Sequence, residues 1–132
     1  MDRYILKGKE VIPCLDLTEW GRWMRNFKNR RIAIDMIEGI MVSTVFLGLD
    51  HDFLDQHSIQ LIFETMTNDK TFDKWGDQRR YFTWDEAEEG HKKIVELVRG
   101  RIAKSKKNSV SSLDTIIEKS RIKIQDSEPE EK

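Results

Sequence analysis

Cysteine, charge of one sign and long apolar runs are all scarce in this chain of 132 residues. Cys14 is the single cysteine, which excludes an intrachain disulfide and a cysteine-based zinc cluster. Between Pro13 and Leu15, its thiol is predicted to be a small buried group and not a nucleophile. Because 23 Lys and Arg residues balance 24 Asp and Glu residues, the charge disfavours a dedicated nucleic-acid-binding protein.

Membrane segments and familiar catalytic motifs are also missing from the sequence. No apolar run approaches the roughly 18 residues that span a bilayer, and the N-terminal MDRYILKGKE lacks the apolar run of a secretory signal. There is no P-loop, no GxGxxG and no Ser/His/Asp arrangement. These absences predict a cytoplasmic protein without a membrane segment.

The length is sufficient for one domain with a single modest core. Hydrophobic residues make up 38% of the chain and charged residues 36%, so part of it is expected to be solvated. Every predicted strand and both helix start signals lie in residues 1–103, whereas Lys, Ser and Glu dominate residues 104–132. We therefore predict one domain over 1–103 and a polar flexible tail over 104–132, with a short amphipathic helix at 110–119 and disorder over 125–132.

The longest nearly uncharged stretch is GIMVSTVFLGLDH, from Gly39 to His51. Its β-branched and aromatic residues predict a central buried strand over 41–47. Partial alternation predicts a preceding strand over 31–37, joined to the central strand as a hairpin through Glu38-Gly39. A third strand, over 60–66, is expected to pair with the central strand because sequential strands usually neighbour each other.

Shorter signals flank these three strands. Residues 4–6 and 11–13 surround a polar segment with a glycine, which predicts a small hairpin at the sheet edge. Residues 67–78 are predicted to form an irregular excursion that turns at Trp75-Gly76. A last short strand is predicted over 80–82.

Two capping boxes mark predicted helix starts, at Asp16-Leu17-Thr18-Glu19 and at Thr83-Trp84-Asp85-Glu86. The first predicts a helix over 17–27 and the second a helix over 84–103. The apolar face of the first is predicted to be Leu17, Trp20, Met24 and Phe27, with Trp23 beside it. The face of the second is predicted to be Ala87, Gly90, His91, Ile94, Leu97, Val98 and Ile102. Together the elements predict an α+β fold, with an antiparallel sheet of four to six strands and two helices packed on one face.

Three stretches carry a resemblance to a known family: STVFLGLDH at 43–51, LIFETM at 61–66 and YFTWDEAEEGHKKIVELV at 81–98. They resemble a family of small uncharacterised bacteriophage and prophage proteins, in which GLDH ends one strand, LFETM forms the next and TWEEAEAGH opens the last helix. The resemblance covers roughly residues 1–99. The chain departs from the family pattern in the loop DFLDQHSIQ and in the connection TNDKTFDKWGDQRR. The resemblance implies a phage protein acting in the host cytoplasm and implies no particular chemistry.

Four residues have the chemistry of a candidate site: Asp50, His51, Glu64 and His91. Asp50 and His51 follow the central strand, Glu64 lies on the strand predicted beside it, and His91 lies on the core-facing stripe of the last helix. If they converge, imidazole and carboxylates suit general acid–base catalysis or a divalent metal. No HxH or HExxH spacing supports this, and the sequence identifies no catalytic residue, metal ligand set or cofactor. In the competing interpretation His91 is a hydrogen-bonded packing residue and Asp50-His51 caps a loop.

A second candidate is a basic set interleaved with aromatic residues, which suits nucleic acid or nucleotide phosphate. Its members are Arg22, Arg25, Lys28, Arg30 and Arg31, next to Trp20, Trp23 and Phe27. The competing interpretation is a solvated helix face whose aromatic side chains fill the core. The near-zero net charge favours the latter.

Two classes of function follow. The favoured one is a non-enzymatic phage protein that binds a host protein or a small signalling ligand, with anti-defence activity as one outcome. The alternative is a small metal-dependent hydrolase or nuclease that uses Asp50, His51, Glu64 and His91. A further expectation concerns the apolar patch of the tail, which should dock on a partner, on a second copy in a homo-oligomer, or on its own domain: Val110, Leu113, Ile116 and Ile117.

Overall fold

The structure, a computed structural model, describes residues 2–49, 61–72 and 74–126, with side chains as far as residue 120. This part of the chain forms six strands and three helices. Their order is β1 (Tyr4–Lys7), β2 (Glu10–Pro13), α1 (Leu17–Arg25), α2 (Phe27–Arg30), β3 (Arg31–Ile37), β4 (Ile40–Phe46), β5 (Phe63–Asp69), β6 (Lys74–Tyr81) and α3 (Trp84–Asp126). The predicted α+β class is confirmed.

A four-stranded antiparallel sheet, in the order β3-β4-β5-β6, is the centre of the fold. The predicted hairpin between β3 and β4 turns at Glu38 and Gly39, whose φ angles are 47° and 86°. Positive φ at both positions is the geometry of the two-residue turns that match strand twist. The register is continuous across β4 and β5, where Thr44 lies opposite Thr65 and Phe46 opposite Phe63.

The first hairpin is a separate two-stranded sheet, so its predicted place at the edge of the main sheet is wrong. Its attachment is local, because the Tyr4 backbone N–H donates to the Gly48 carbonyl at 2.8 Å. The Trp20 indole donates to the same carbonyl at 3.2 Å. Tyr4 and Leu6 then turn into the core cluster with Phe46. Core packing therefore holds this hairpin, together with an isolated antiparallel bridge between Arg3 and Leu49.

The predicted excursion over 67–78 is also wrong. β5 continues to Asp69, and β6 pairs with it from Lys74 to Tyr81, so Trp75-Gly76 lies inside a strand with a register shift. The turn between them is stabilised by the Asp69 carboxylate, which accepts hydrogen bonds from two backbone N–H groups after it. This is the turn chemistry that aspartate favours.

The first helix ends earlier than predicted. The Asp16 carboxylate caps α1 as expected, accepting from the Thr18 and Glu19 N–H groups. Asn26 then leaves the helical conformation and caps the short α2. Leu17 and Phe27, both predicted to face the core, are exposed. The contact is made instead by Trp23, whose ring meets Phe46 edge-on at 5.5 Å between centroids.

The start of α3 agrees with its capping box. The Thr83 hydroxyl accepts from the Glu86 N–H at 3.1 Å, and the Glu86 carboxylate accepts from the Phe82 N–H at 3.3 Å. The side chains that face the sheet are buried: Ala87, His91, Ile94, Val95 and Val98. No helix in the described residues is long and apolar enough to span a membrane.

α3 does not stop near Ala103 but continues to Asp126, so residues 104–109, predicted as part of a flexible tail, are helical. No Gly or Pro interrupts residues 101–126, and Lys, Ser and Asn are tolerated in a helix at modest cost. The predicted amphipathic helix at 110–119 is part of this longer helix. Of the segment predicted to be disordered, 125–126 belong to α3 and 127–132 lie outside the described residues. Contacts divide the chain into two units, Met1–Val98 and Arg99–Lys132.

Deleting residues 104–132 is expected to leave the first unit folded, because all the buried core residues among the described side chains precede Arg99. The melting temperature should change by less than about 4 °C, the effect of roughly 1 kcal/mol in a small domain. Thermal melting of the full and truncated chains, followed by tryptophan fluorescence, checks this. A much larger loss would show that the second unit contributes to the core.

Gly90→Ala is expected to destabilise the protein by about 1 to 3 kcal/mol through overpacking. A Cβ at this position would overlap the Tyr81 ring, whose hydroxyl oxygen is buried. Gly21→Ala is the matched control, since no atom lies within 4 Å of its added Cβ. In α1 this change should stabilise by up to about 1 kcal/mol. Urea denaturation distinguishes the two, and equal effects would contradict close packing at Gly90.

Candidate functional site

Four polar side chains form a hydrogen-bonded chain between the sheet and α3. The Thr65 and Thr44 hydroxyl oxygens are 2.5 Å apart, and the Thr44 oxygen is 2.7 Å from His91 Nδ1. On the other side of the ring, His91 Nε2 lies 2.7 Å from an Asp35 carboxylate oxygen. Thr44, Thr65 and His91 are buried, whereas the Asp35 side chain is 48% exposed.

Strand alternation and register assemble this polar chain. Thr44 on β4 lies opposite Thr65 on β5, and Val42 lies opposite Asp35 on β3. Because alternate residues of a strand point to the same face, these four strand residues all project toward α3. His91 lies one helical turn beyond the buried Ala87 and so reaches the same face.

The direction of the hydrogen bonds follows from the carboxylate at one end. An ionised Asp35 only accepts, so a neutral His91 donates through Nε2 and accepts at Nδ1. The Thr44 hydroxyl then donates to His91, and the Thr65 hydroxyl donates to Thr44. A protonated imidazole would instead form an ion pair with Asp35 and donate to Thr44.

The composition of this chain, hydroxyl, imidazole and carboxylate, is that of a nucleophilic triad. Here the Thr44 side chain has no exposure to solvent, so a substrate cannot reach its oxygen. The carboxylate also approaches the ring nitrogen that catalytic hydroxyls use in the serine protease arrangement. The contacts therefore satisfy the polar groups of a buried histidine, as buried polar groups require, and support the packing interpretation of His91.

Glu64 lies on the opposite face of the sheet from His91. It neighbours Thr65 along β5 and pairs with Val45, so its side chain points away from α3. Its carboxylate accepts hydrogen bonds from Gln78 Nε2 and Arg80 Nε, each at 2.8 Å. Glu64 and His91 therefore do not converge, as the enzyme alternative requires, because the sheet separates them.

Asp50 and His51, the other two residues of the predicted cluster, lie outside the described residues. Within the described ranges, no group of three or more His, Cys, Asp or Glu side chains is arranged to hold a metal ion. Cys14 is buried, in agreement with its prediction as a small packing residue.

The basic set is spread over α1, α2 and the start of β3. Arg22 and Arg25 lie in the last turn of α1, where cations are favourable beside the helix C-terminus. The guanidinium groups of Arg30 and Arg31 each lie 5.0 Å from the centroid of the Phe27 ring. Helix-end electrostatics and cation–π contacts account for these positions without a bound polyanion.

The most exposed apolar surface of the sheet is the face that carries Glu64. We call it the open face, and the strand register assigns to it Ile34, Met36, Met41, Ser43, Val45, Glu64, Met66, Asn68, Trp75, Gln78 and Arg80. Ile34, Met36 and Trp75 are 42%, 59% and 56% exposed. At one end of this face Arg31 lies opposite Val45, and its guanidinium is 5.0 Å from the centroid of the Phe27 ring of α2.

A cavity of about 480 Å³ lies between β6 and the start of α3. Its lining mixes the cations Arg79 and Lys93 with the anions Asp85 and Glu89. Charges of both signs around a shallow opening do not select one ligand class. The cavity therefore indicates the kind of ligand less clearly than the open face does.

The polar chain contains three residues that the sequence analysis did not single out: Asp35, Thr44 and Thr65. A signal exists for Asp35, which is the only acid within the strand segment RIAIDMI and lies out of phase with Ile34 and Met36. The two threonines carry no comparable signal, since β-branched residues are ordinary in strands.

Thr44→Val is expected to destabilise the protein by at least about 2 kcal/mol, because it removes the partners of both Thr65 and His91 Nδ1 in the core. Thr65→Val is the matched control, since it removes only the end of the chain and should cost about 1 kcal/mol. Chemical denaturation of both variants and of the double variant measures the difference. Equal costs for the two single variants would contradict a bridging role for Thr44.

Comparison with known proteins yields no match to any family model, curated protein or solved structure. The resemblance to small phage proteins therefore stays a prediction from the quoted residues. The functional conclusion depends on the geometry of the open face and of the polar chain.

Proposed function

We propose that this chain is a non-enzymatic binding protein that holds a partner protein on the open face of its four-stranded sheet. The exposure of three large apolar side chains there, Ile34, Met36 and Trp75, carries the proposal. Apolar side chains clustered on one surface are typical of protein interaction sites.

The composition of the open face supports the same conclusion. It holds Met36, Met41 and Met66, three of the five methionines of the chain, together with Trp75 and Arg80. Methionine, tryptophan and arginine are enriched in protein interfaces. Flexible methionine side chains also adapt their shape to a partner.

Polar groups on this face provide directional contacts beside the apolar ones. The Glu64 carboxylate is held by Gln78 and Arg80, so the charges have fixed positions. Asn68, between Met41 and Trp75 in the register, is buried and neither atom of its amide has a hydrogen-bond partner. An unpaired buried amide costs stability, and such costs are tolerated most often where a surface is used for binding.

The resemblance to phage and prophage proteins suggests where this binding takes place. We propose that the partner is a host protein met in the cytoplasm of an infected bacterium, and that blocking a defence protein is the outcome. The alternative hydrolase or nuclease gains no support from the described residues of its site, since Glu64 and His91 lie on opposite faces of the sheet.

Met36→Lys is expected to abolish capture of the partner, because it places a charge among the exposed apolar side chains of the open face. Loss of a dominant apolar contact costs about 2 kcal/mol or more, roughly a thirty-fold weaker affinity. The tagged full chain is used to capture proteins from bacterial lysate, with quantitative mass spectrometry. Affinity is then measured by calorimetry with the purified partner.

Leu15→Lys is the matched control, since Leu15 is 91% exposed and lies outside the open face. It should retain the partner at wild-type affinity. Trp75→Ala provides a second test on another strand of the face. A partner retained equally by Met36→Lys and Trp75→Ala would overturn the assignment of the surface, and hydrolysis or nuclease activity of the purified protein would overturn the non-enzymatic function.

A further inference from the structure

The described residues of the second unit are the part of α3 beyond Val98. Every side chain from residue 103 to residue 120 is exposed. Four of them are large apolar groups with exposures between 48% and 59%: Val110, Leu113, Ile116 and Ile117. This helical segment thus buries none of its apolar side chains within the described residues.

A helical segment that buries no apolar side chain has little packing to stabilise it. Helices in water gain most of their stability from packing an apolar face, and short isolated helices are marginal. Residues 104–109, KSKKNS, contribute no apolar side chain. The segment over 103–120 therefore gains no packing stability from its apolar side chains within the described residues, and a partner surface would supply it.

The spacing of the apolar residues identifies the kind of partner. Counting in heptads, Ala103, Val110 and Ile117 fall at position a, seven residues apart. Leu113 falls at position d, together with the polar Lys106 and Ser120. A repeat of three and four residues, with apolar groups at a and d, is the pattern of a coiled coil.

We propose that this segment pairs with the same segment of a second copy, as a parallel two-stranded coiled coil. β-branched residues at a with leucine at d favour two parallel strands. In that arrangement each a residue meets its own counterpart, so Val110 packs on Val110 and Ile117 on Ile117.

Charges at the flanking positions are compatible with this pairing. In a parallel pair, position g of one helix lies beside position e of the next heptad in the other. Ser109 at g would lie beside Asp114 at e, and Ile102 beside Lys107. Neither pair brings like charges together. Lys106 and Ser120 at d lower the affinity. Lys106 meets its own counterpart in a parallel pair, so this core position brings two like charges together.

The proposal goes beyond the partner binding proposed for the open face, since it uses other residues and a different occupant. A coiled coil of about two and a half heptads with two polar core positions gives a reversible dimer. Helix content and mass should therefore both rise with protein concentration.

The test is light scattering of the full chain after size exclusion, from micromolar to millimolar concentration. The mass should rise from 15.7 kDa toward twice that value. Leu113→Glu should keep the mass at that of one chain at every concentration. Ser112→Glu, which adds the same charge at the outward position c, should dimerise like the wild type.

Cysteine cross-linking tests the orientation. Ser120→Cys places a thiol at a core d position, where two copies meet in a parallel pair at a distance that a disulfide can bridge. Mild oxidation should convert it to a covalent dimer. Ser112→Cys is the matched control and should remain monomeric on a denaturing gel, as should the wild type, in which Cys14 is buried.

Three outcomes would overturn the proposal. A wild-type mass of one chain at millimolar concentration excludes self-association. A dimer that Leu113→Glu leaves intact uses a different surface. Loss of the dimer in Leu113→Glu without preferential cross-linking of Ser120→Cys indicates an antiparallel pair or another register.

Discussion

The close approach of α3 to the sheet is the constraint on which the arrangement of this protein depends. Gly90 lets the helix lie against the Tyr81 ring, and the next residue, His91, then reaches Thr44 and Asp35. Side chains alternate along a strand, so the packing of α3 on one face of the sheet also determines which side chains lie on the face that α3 does not cover. Met36 and Met66 occupy that second face as a direct consequence.

The polar chain adds specificity to this packing. A slip of one residue in β4 would turn its apolar side chains to the other face, and it would also present Ser43 or Val45 to His91 and leave buried polar groups without partners. The Thr44 hydroxyl thus binds the imidazole, the Thr65 hydroxyl binds Thr44, and the two contacts also fix the register. The polar chain ends at the half-exposed Asp35, so this carboxylate stays in contact with solvent.

The two proposed binding surfaces differ in physical character. The open face is irregular, rich in methionine and bordered by a fixed Glu64–Arg80 ion pair, which suits a partner of different sequence. The apolar side chains beyond Val98 recur at heptad spacing, so the segment can pack against the same segment of a second copy. A dimer would present two open faces, and two linked sites can bind a multivalent partner more tightly than either site alone.

The sequence by itself determined the features that depend on local chemistry. Both helix starts, the turn at Glu38-Gly39 and the central strand were predictable, because capping, positive φ and β-branched composition act over a few residues. Tertiary structure decided which face of each element is buried: it placed Trp23 inward and Phe27 outward, and it separated Glu64 from His91. The continuation of α3 through Lys104 was likewise missed, since a polar composition permits a helix without signalling one. The partners of His91 lie 47 and 56 residues away in the chain, and only the register of three strands brings them together.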